Sequence, residues 1–188
     1  MSGRESALER AGKVLFRWRA LVGFAGFWLV FWFGNGTPLT CLAGLPLLLA
    51  GLALRWWAMG YIGPAARGRE FGTPRYVGSG PYRWFKLNAR APAGHPLYSG
   101  NSLLVLGVLV ALWPPVPLVV AVLALFLLEY WIVARAEQRS LLARFGPHPD
   151  RAVGFSARRA LAEWSTWLVA GFAWSLCWVR VALGQVRG

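Results

Sequence analysis

Long apolar runs, separated by short uncharged turns and by longer charged segments, fill most of the chain. A helix that crosses a bilayer needs about 20 mostly apolar residues. The pattern therefore predicts an all-α, polytopic transmembrane helical protein with about five spans. The predicted spans are Leu21–Phe33 with an extension back through Phe16, Leu39–Tyr61, Tyr98–Trp113, Val116–Val133 and Trp164–Leu183.

The breaks between these runs divide the chain into predicted parts. The turn at 34–38 contains two glycines and a proline, and the Pro114-Pro115 pair denies a continuous helix its backbone donors. We interpret 1–188 as a single membrane domain. Its parts are an interfacial N-terminal segment (1–19), spans 1 and 2 (20–61), a charged loop (62–97), a hairpin of spans 3 and 4 (98–134), a second charged segment (135–163) and span 5 (164–184). For 1–19, a merely solvated positive flank is the open alternative.

Composition strengthens the membrane interpretation. The chain is 57% hydrophobic and 14% charged, whereas a soluble domain has roughly 45–50% and about 25%. A single domain of this length cannot hide so many apolar residues in its core, so they are expected to face lipid. The tryptophans near the span ends fit aromatic belts, and Arg55 with Trp56 and Trp57 is predicted at headgroup level.

The net charge of +13 would favour nucleic acid in a soluble protein. Here the basic residues cluster between the apolar runs, with five before the first span, six in 62–97 and six in 135–163, while the turns at 34–38 and 114–115 carry none. The positive-inside rule then predicts a cytosolic N-terminus and an external C-terminus. We expect membrane lipids as partners, no nucleic acid, and a multi-pass location in the plasma (inner) membrane if the protein is bacterial.

The two cysteines, Cys41 and Cys177, are too few and too far apart to indicate a disulfide framework or a zinc site. We expect both to be packing residues and expect no metal. The N-terminus is charged for too long before its apolar run to be an ordinary cleaved signal peptide, so we expect it to stay attached.

Side chains able to do chemistry gather in two stretches, 78–101 and 129–159, which both open onto the predicted cytosolic ends of spans 3 and 4. Polar groups gathered at one membrane surface are typical of a pocket between lipid and water. The first stretch contains Gly-Pro-Tyr-Arg at 80–83 and His-Pro-Leu-Tyr-Ser-Gly-Asn at 95–101. The second contains Glu-Gln-x-x-Leu-x-x-x-Phe-Gly at 137–146.

These two blocks, in this order and one hairpin apart, resemble the isoprenylcysteine carboxyl methyltransferase family and its phospholipid methyltransferase relatives. The resemblance covers about 80–146. It implies a transmembrane enzyme that transfers a methyl group from S-adenosylmethionine to a lipid-borne or otherwise hydrophobic acceptor. Such a transfer depends on alignment of the reacting atoms and on exclusion of water rather than on acid–base help.

The resemblance also implies roles for individual residues. Cofactor contact is implied for Tyr82, Arg83, His95, Pro96, Tyr98, Gly100, Asn101, Glu137 and Gln138, the last replacing the second acid of the family's pair. Arg90 is the candidate for a family arginine that Gly94 replaces. From the residues alone, Glu129 is a second catalytic candidate, because an acid within a span is a functional hypothesis by default. Its alternative is an ion pair with Arg135 or snorkelling toward the headgroups.

Besides Gly94 in place of the family arginine, the chain departs from the family pattern in two places. About eight residues separate the Pro-Tyr-Arg block from His95, and a fifth span replaces the usual Tyr-rich ending after Phe145. Two alternatives therefore stay open. One is a non-catalytic structural or assembly subunit of a membrane complex with a membrane-protein partner, and the other is a membrane reductase that uses a nicotinamide cofactor.

Overall fold

The computed structural model describes residues 7–63, 80–81, 96–145 and 154–186. The regular secondary structure of these residues is helical throughout, which confirms the all-α prediction. The helices are α1 (Ala7–Phe33), α2 (Pro38–Ile62), α3 (Pro96–Leu112), α4 (Val116–Phe145), α5 (Ala157–Ala160), a 3₁₀ turn (Leu161–Glu163) and α6 (Trp164–Val186).

Three helical stretches in the described residues are long and apolar enough to cross a membrane, namely Pro38–Ile62, Val116–Ala136 and Ala157–Gly184. They correspond to predicted spans 2, 4 and 5. Predicted span 3 is α3, an apolar helix of 17 residues, and predicted span 1 is the second half of α1. Helix α1 runs without a break from Ala7, and α5, the 3₁₀ turn and α6 follow one another directly.

The two uncharged turns meet at one end of the bundle. The backbone N–H of Asn35 donates to the carbonyl of Trp113 at 3.3 Å, and the Thr40 hydroxyl donates to the carbonyl of Ala111 at 2.9 Å. Thr37 and Thr40 form a reciprocal cap at the start of α2, so the polar backbone groups of this turn have partners. The charge pattern predicted that these turns share a side, and the hydrogen bonds between them confirm it.

Helices α2 and α3 pack closely because glycines face each other along their seam. A Cβ built on Gly51 would lie 2.7 Å from the carbonyl oxygen of Gly100, and one on Gly107 would lie 3.0 Å from that of Gly44. In each helix the two glycines are seven residues apart, which puts them on one face two turns apart. Small residues at this spacing let helix backbones approach without a side chain between them.

The main buried cluster lies at the end of the bundle that carries the uncharged turns and joins α1, α2, α3 and α6. Its buried members are Val30, Phe31, Cys41, Leu109, Ala111, Leu112, Cys177 and Val181. Both cysteines are free thiols that fill this cluster, as the sequence predicted. Around it, α3 packs mainly along α2, and α4 mainly along α1. The chain therefore breaks at 113–115, between predicted spans 3 and 4, as expected. The two helices of this predicted hairpin pack mainly against other helices, α3 against α2 and α4 against α1.

The segment before α6 docks on the end of α2. The N–H of Ser156 donates to the carbonyl of Gly60 at 2.9 Å. The Phe155 ring lies against Gly60 and contacts the rings of Trp56 and Tyr61, with centroids 5.2 and 5.7 Å away. Since Gly60 has no side chain, the ring can lie directly on the helix backbone. This docking brings Glu163 beside the middle of α2.

Candidate functional site

The predicted site residues fall into three groups. Tyr82, Arg83, Arg90 and His95 lie outside the described residues. Glu137 and Gln138 lie within α4, which continues to Phe145, and the structure describes their helix but not their side chains. The remaining predicted residues are fully described and occupy α3 and α4; they are Pro96, Tyr98, Gly100, Asn101 and Glu129.

The start of α3 meets the middle of α4. Tyr98 packs against the buried pair Val133 and Ala136, and its ring meets that of Tyr130 edge to face, with centroids 4.8 Å apart. Ala136 immediately precedes Glu137 in the chain. Tyr98 of the first sequence block therefore lies against the helical turn that directly precedes the second block.

Pro96 begins α3 and is fully buried. Proline suits the first turn of a helix because an N–H there would have no intrahelical acceptor. Its position therefore has a structural explanation that is independent of any cofactor.

Arg55 of α2 lies at the centre of a buried polar network that the sequence did not predict. Its Nη2 donates to Glu163 Oε1 at 3.0 Å and to Oε2 at 3.1 Å, and its Nε donates to Oε2 at 3.3 Å. Nη1 donates to Asn101 Oδ1, and Nη2 also lies 3.4 Å from the Thr166 hydroxyl. The Arg55 side chain turns inward and is only 13% exposed.

Asn101 connects this network to α4. Its Oδ1 accepts from Arg55, and its Nδ2 donates to the Tyr130 hydroxyl. Tyr130 is held from the other side by Phe126, whose ring centroid lies 4.4 Å away. Both polar ends of the Asn101 amide are thus engaged inside the protein.

Gly100 lies where the stem of Arg55 crosses α3. A Cβ on Gly100 would lie 2.5 Å from Cγ of Arg55 and 3.1 Å from the carbonyl oxygen of Gly51. No other residue type fits this position without displacing the arginine or the α2 backbone. Gly100 and Asn101 therefore both contact Arg55, one by lacking a side chain and the other by accepting a hydrogen bond.

Glu129 is buried in α4, with 8% of its surface exposed, and interacts electrostatically with Arg19 of α1. The guanidinium of Arg135, its alternative partner from sequence, lies over the Trp131 ring, 5.5 Å from the centroid. Of the two buried acids in the described residues, Glu163 forms an ion pair with Arg55, and Glu129 lies within electrostatic reach of Arg19. An ion pair offsets part of the cost of burying the Glu163 charge.

An apolar groove of about 660 Å³ opens between α2 and the α5–α6 segment. Four of its lining residues are close in sequence to the ion pair. Ala53 and Trp56 lie before and after Arg55, and Leu161 and Trp164 lie before and after Glu163. Among the described residues, the groove is lined by Ala53, Trp56, Ala160, Leu161, Trp164, Trp167 and Leu168. The groove has the size and lining of a site for part of a hydrophobic molecule.

Sequence reasoning missed Arg55, Tyr130 and Glu163 as parts of one network. A signal was present, because Arg55 is the sole charged residue in the apolar run 39–61, and a charge in such a position needs a partner. Which of the seven acids is that partner could not be read from spacing. Comparison of the chain with protein-family models, with curated proteins and with solved structures gives no match in any of the three.

Proposed function

We propose that the protein is an integral membrane methyltransferase that uses S-adenosylmethionine and acts on a lipid-borne or hydrophobic acceptor. The observation that supports the proposal is the contact of Tyr98, in the first sequence block, with Val133 and Ala136, which directly precede the second block. Residues of both blocks can therefore line one site near the start of α3.

The membrane location rests on the three long apolar helices and on the outward apolar side chains of the bundle. In this proposal α1 and α3 complete five spans. Helix α3 rises about 26 Å at 1.5 Å per residue, close to the roughly 30 Å thickness of the hydrocarbon core. The basic segments face the cytosol and the paired turns at 34–37 and 113–115 face the other side.

The site would work mainly by alignment. A carboxylate at Glu137 can bind the ammonium or hydroxyl groups of the cofactor, and the Tyr98 ring can stabilise a nearby sulfonium by cation–π attraction. When bound, S-adenosylmethionine would supply the methyl group: its S–CH₃ bond would break as an acceptor oxygen or nitrogen bonds the methyl carbon, and S-adenosylhomocysteine would leave. The apolar groove beside Trp56 and Trp164 offers room for the hydrophobic part of the acceptor, which arrives through the bilayer.

Calorimetric titration of S-adenosylmethionine into the detergent-purified protein tests the proposal. The wild type should bind, and Glu137→Gln and His95→Ala should each abolish or strongly weaken binding. Ser175→Ala is a matched loss of one polar group, because the Ser175 hydroxyl only donates to Gly171 within α6. It should bind as the wild type does. No heat of binding at millimolar cofactor would exclude the enzyme.

The two hydrogen bonds of the Asn101 amide favour a second function, that of a non-catalytic subunit. Because both of its polar ends bond within the protein, the Gly-Asn motif has a structural explanation without a cofactor, as expected of a non-catalytic subunit of a membrane complex. This function predicts no binding in the same titration. A parallel titration with a nicotinamide cofactor tests the reductase, which requires binding there instead.

A further inference from the structure

We propose that Arg55 is a positioning residue of the site, and that Gly100 and Asn101 form its receptor on α3. The inference rests on the proposed function for its consequence on cofactor binding. In this role, Gly100 and Asn101, at the end of the first block, hold an arginine from the neighbouring helix α2.

The hydrogen bonds of Arg55 fix the guanidinium plane. Two of its nitrogens face the two carboxylate oxygens of Glu163 at 3.0 to 3.3 Å, and the third faces Asn101. A planar fork that engages a carboxylate at two points is specific to arginine, since the lysine ammonium is a point charge. The Glu163 side chain is 1% exposed, so water cannot replace the guanidinium as its partner.

The receptor on α3 matches the shape of the arginine. Gly100 leaves space for Cγ and Cδ of Arg55, and the next residue, Asn101, presents its amide oxygen to Nη1. A side chain at 100 would push the stem away from α3. The two residues act together, because the stem must pass close to the helix for the guanidinium to reach the amide.

The network continues from this receptor to Tyr98, which lies beside the start of the second sequence block. The Asn101 amide donates to the hydroxyl of Tyr130, and the Tyr130 ring lies edge to face against Tyr98. Tyr98 in turn packs on Ala136, the neighbour of Glu137. Arg55 therefore fixes Asn101, Asn101 fixes Tyr130, and Tyr130 fixes the aromatic ring beside the proposed cofactor site.

Cofactor affinity tests this role with Arg55→Lys and with the double variant Arg55→Gln/Glu163→Gln, which leaves no unpaired charge. Both should bind S-adenosylmethionine about tenfold more weakly, which corresponds to about 1.4 kcal/mol. Arg180→Gln is the matched control. Arg180 also links two helices, by donating to the carbonyls of Phe31 at 2.9 Å and Trp32 at 3.4 Å, but at the other end of the bundle.

The control should lower thermal stability and leave cofactor affinity within about twofold of the wild type. Wild-type affinity in both Arg55 variants would overturn the positioning role. Equal losses in the Arg55 variants and in Arg180→Gln would also overturn it, because they would show a general effect of helix packing.

A second measurement separates this inference from the proposed function. In a double-mutant cycle followed by thermal unfolding in detergent, Arg55→Gln and Tyr130→Phe should be non-additive, since Asn101 joins the two residues. Arg180→Gln with Tyr130→Phe should be additive. If the wild type binds no cofactor but the first pair is coupled, the proposed function fails and the network stands. Additive effects of the first pair would overturn the network itself.

Discussion

The guanidinium of Arg55 forms a bidentate ion pair with the carboxylate of Glu163, 108 residues away in the chain. Nη2 lies 3.0 Å from Oε1, and Nε lies 3.3 Å from Oε2. This pair ties α2 to the 3₁₀ turn that precedes α6. Asn101 and Thr166 also contact Arg55, and residues next to Arg55 and Glu163 in the chain line the apolar groove. The pair therefore belongs both to the polar network inside the bundle and to the wall of the groove on its surface.

Glu163→Gln should destabilise the protein more than any single change at an exposed charge. The substitution leaves the guanidinium of Arg55 buried without a counter-charge, a situation that typically costs roughly 3–5 kcal/mol. Thermal unfolding in detergent should show a clear fall in Tm. Arg158→Gln is the control, since Arg158 is exposed on α5, and its Tm should stay close to that of the wild type. A similar Tm for the two variants would contradict the assigned role of the ion pair.

Gly51→Ala should weaken the packing of α2 on α3. The new methyl group would lie 2.7 Å from the carbonyl oxygen of Gly100, so the helices must separate. Gly171→Ala on α6 is the matched change, because a Cβ there meets nothing within 4 Å, and alanine is favoured over glycine in a helix by about 1 kcal/mol. We expect a lower Tm for the first variant and an equal or higher Tm for the second. The reverse order would disprove the close seam.

Cys41 and Cys177 should resist thiol reagents in the folded protein. Both side chains have no exposed surface and lie in the same buried cluster. Maleimide labelling should therefore require denaturation, while Gly154→Cys, an exposed position outside the apolar helices, should label at once in the native state. Rapid native labelling of the wild type, whose two cysteines are Cys41 and Cys177, would show that the cluster is open.

Cysteines placed in the two uncharged turns should be labelled from the same side of the membrane. The turns are hydrogen-bonded to each other through Asn35 and Trp113, so no topology can separate them. In a background without Cys41 and Cys177, Asn35→Cys and Pro115→Cys should both react with a membrane-impermeant maleimide added to intact cells. Labelling of just one of them would contradict the fold. Failure of both in intact cells, followed by labelling after lysis, would reverse the proposed orientation.

The sequence by itself determined the helical class and the positions of the turns. Apolar runs of these lengths have to form helices in order to bond their own backbone groups away from water. The turn before Pro38 and the pair Pro114-Pro115 interrupt them for local reasons of proline and glycine geometry. Local rules of this kind need no knowledge of the rest of the fold, and the ends of α2 and α3 agree with the expected spans within a few residues.

The motif blocks were also readable from the chain, and Tyr98 of the first block packs against Ala136, directly before the second. The partners of the charges were not readable. Arg55 turns inward to Glu163, and Glu129 lies close enough to Arg19 of α1 to interact with it electrostatically. Sequence distance favoured neighbours on the same helix, whereas the fold supplied partners from other helices.

Tertiary structure alone decided which helices pair and which polar side chains are buried together. Helices α2 and α3 pack together because their glycines face one another in register. That register depends on the packing of both backbones. Once they are in contact, the Arg55 stem crosses α3 at Gly100, where no side chain blocks its path. The physical reason is that charge pairing and close packing are satisfied across the whole bundle, so no local segment contains the information that selects the partner.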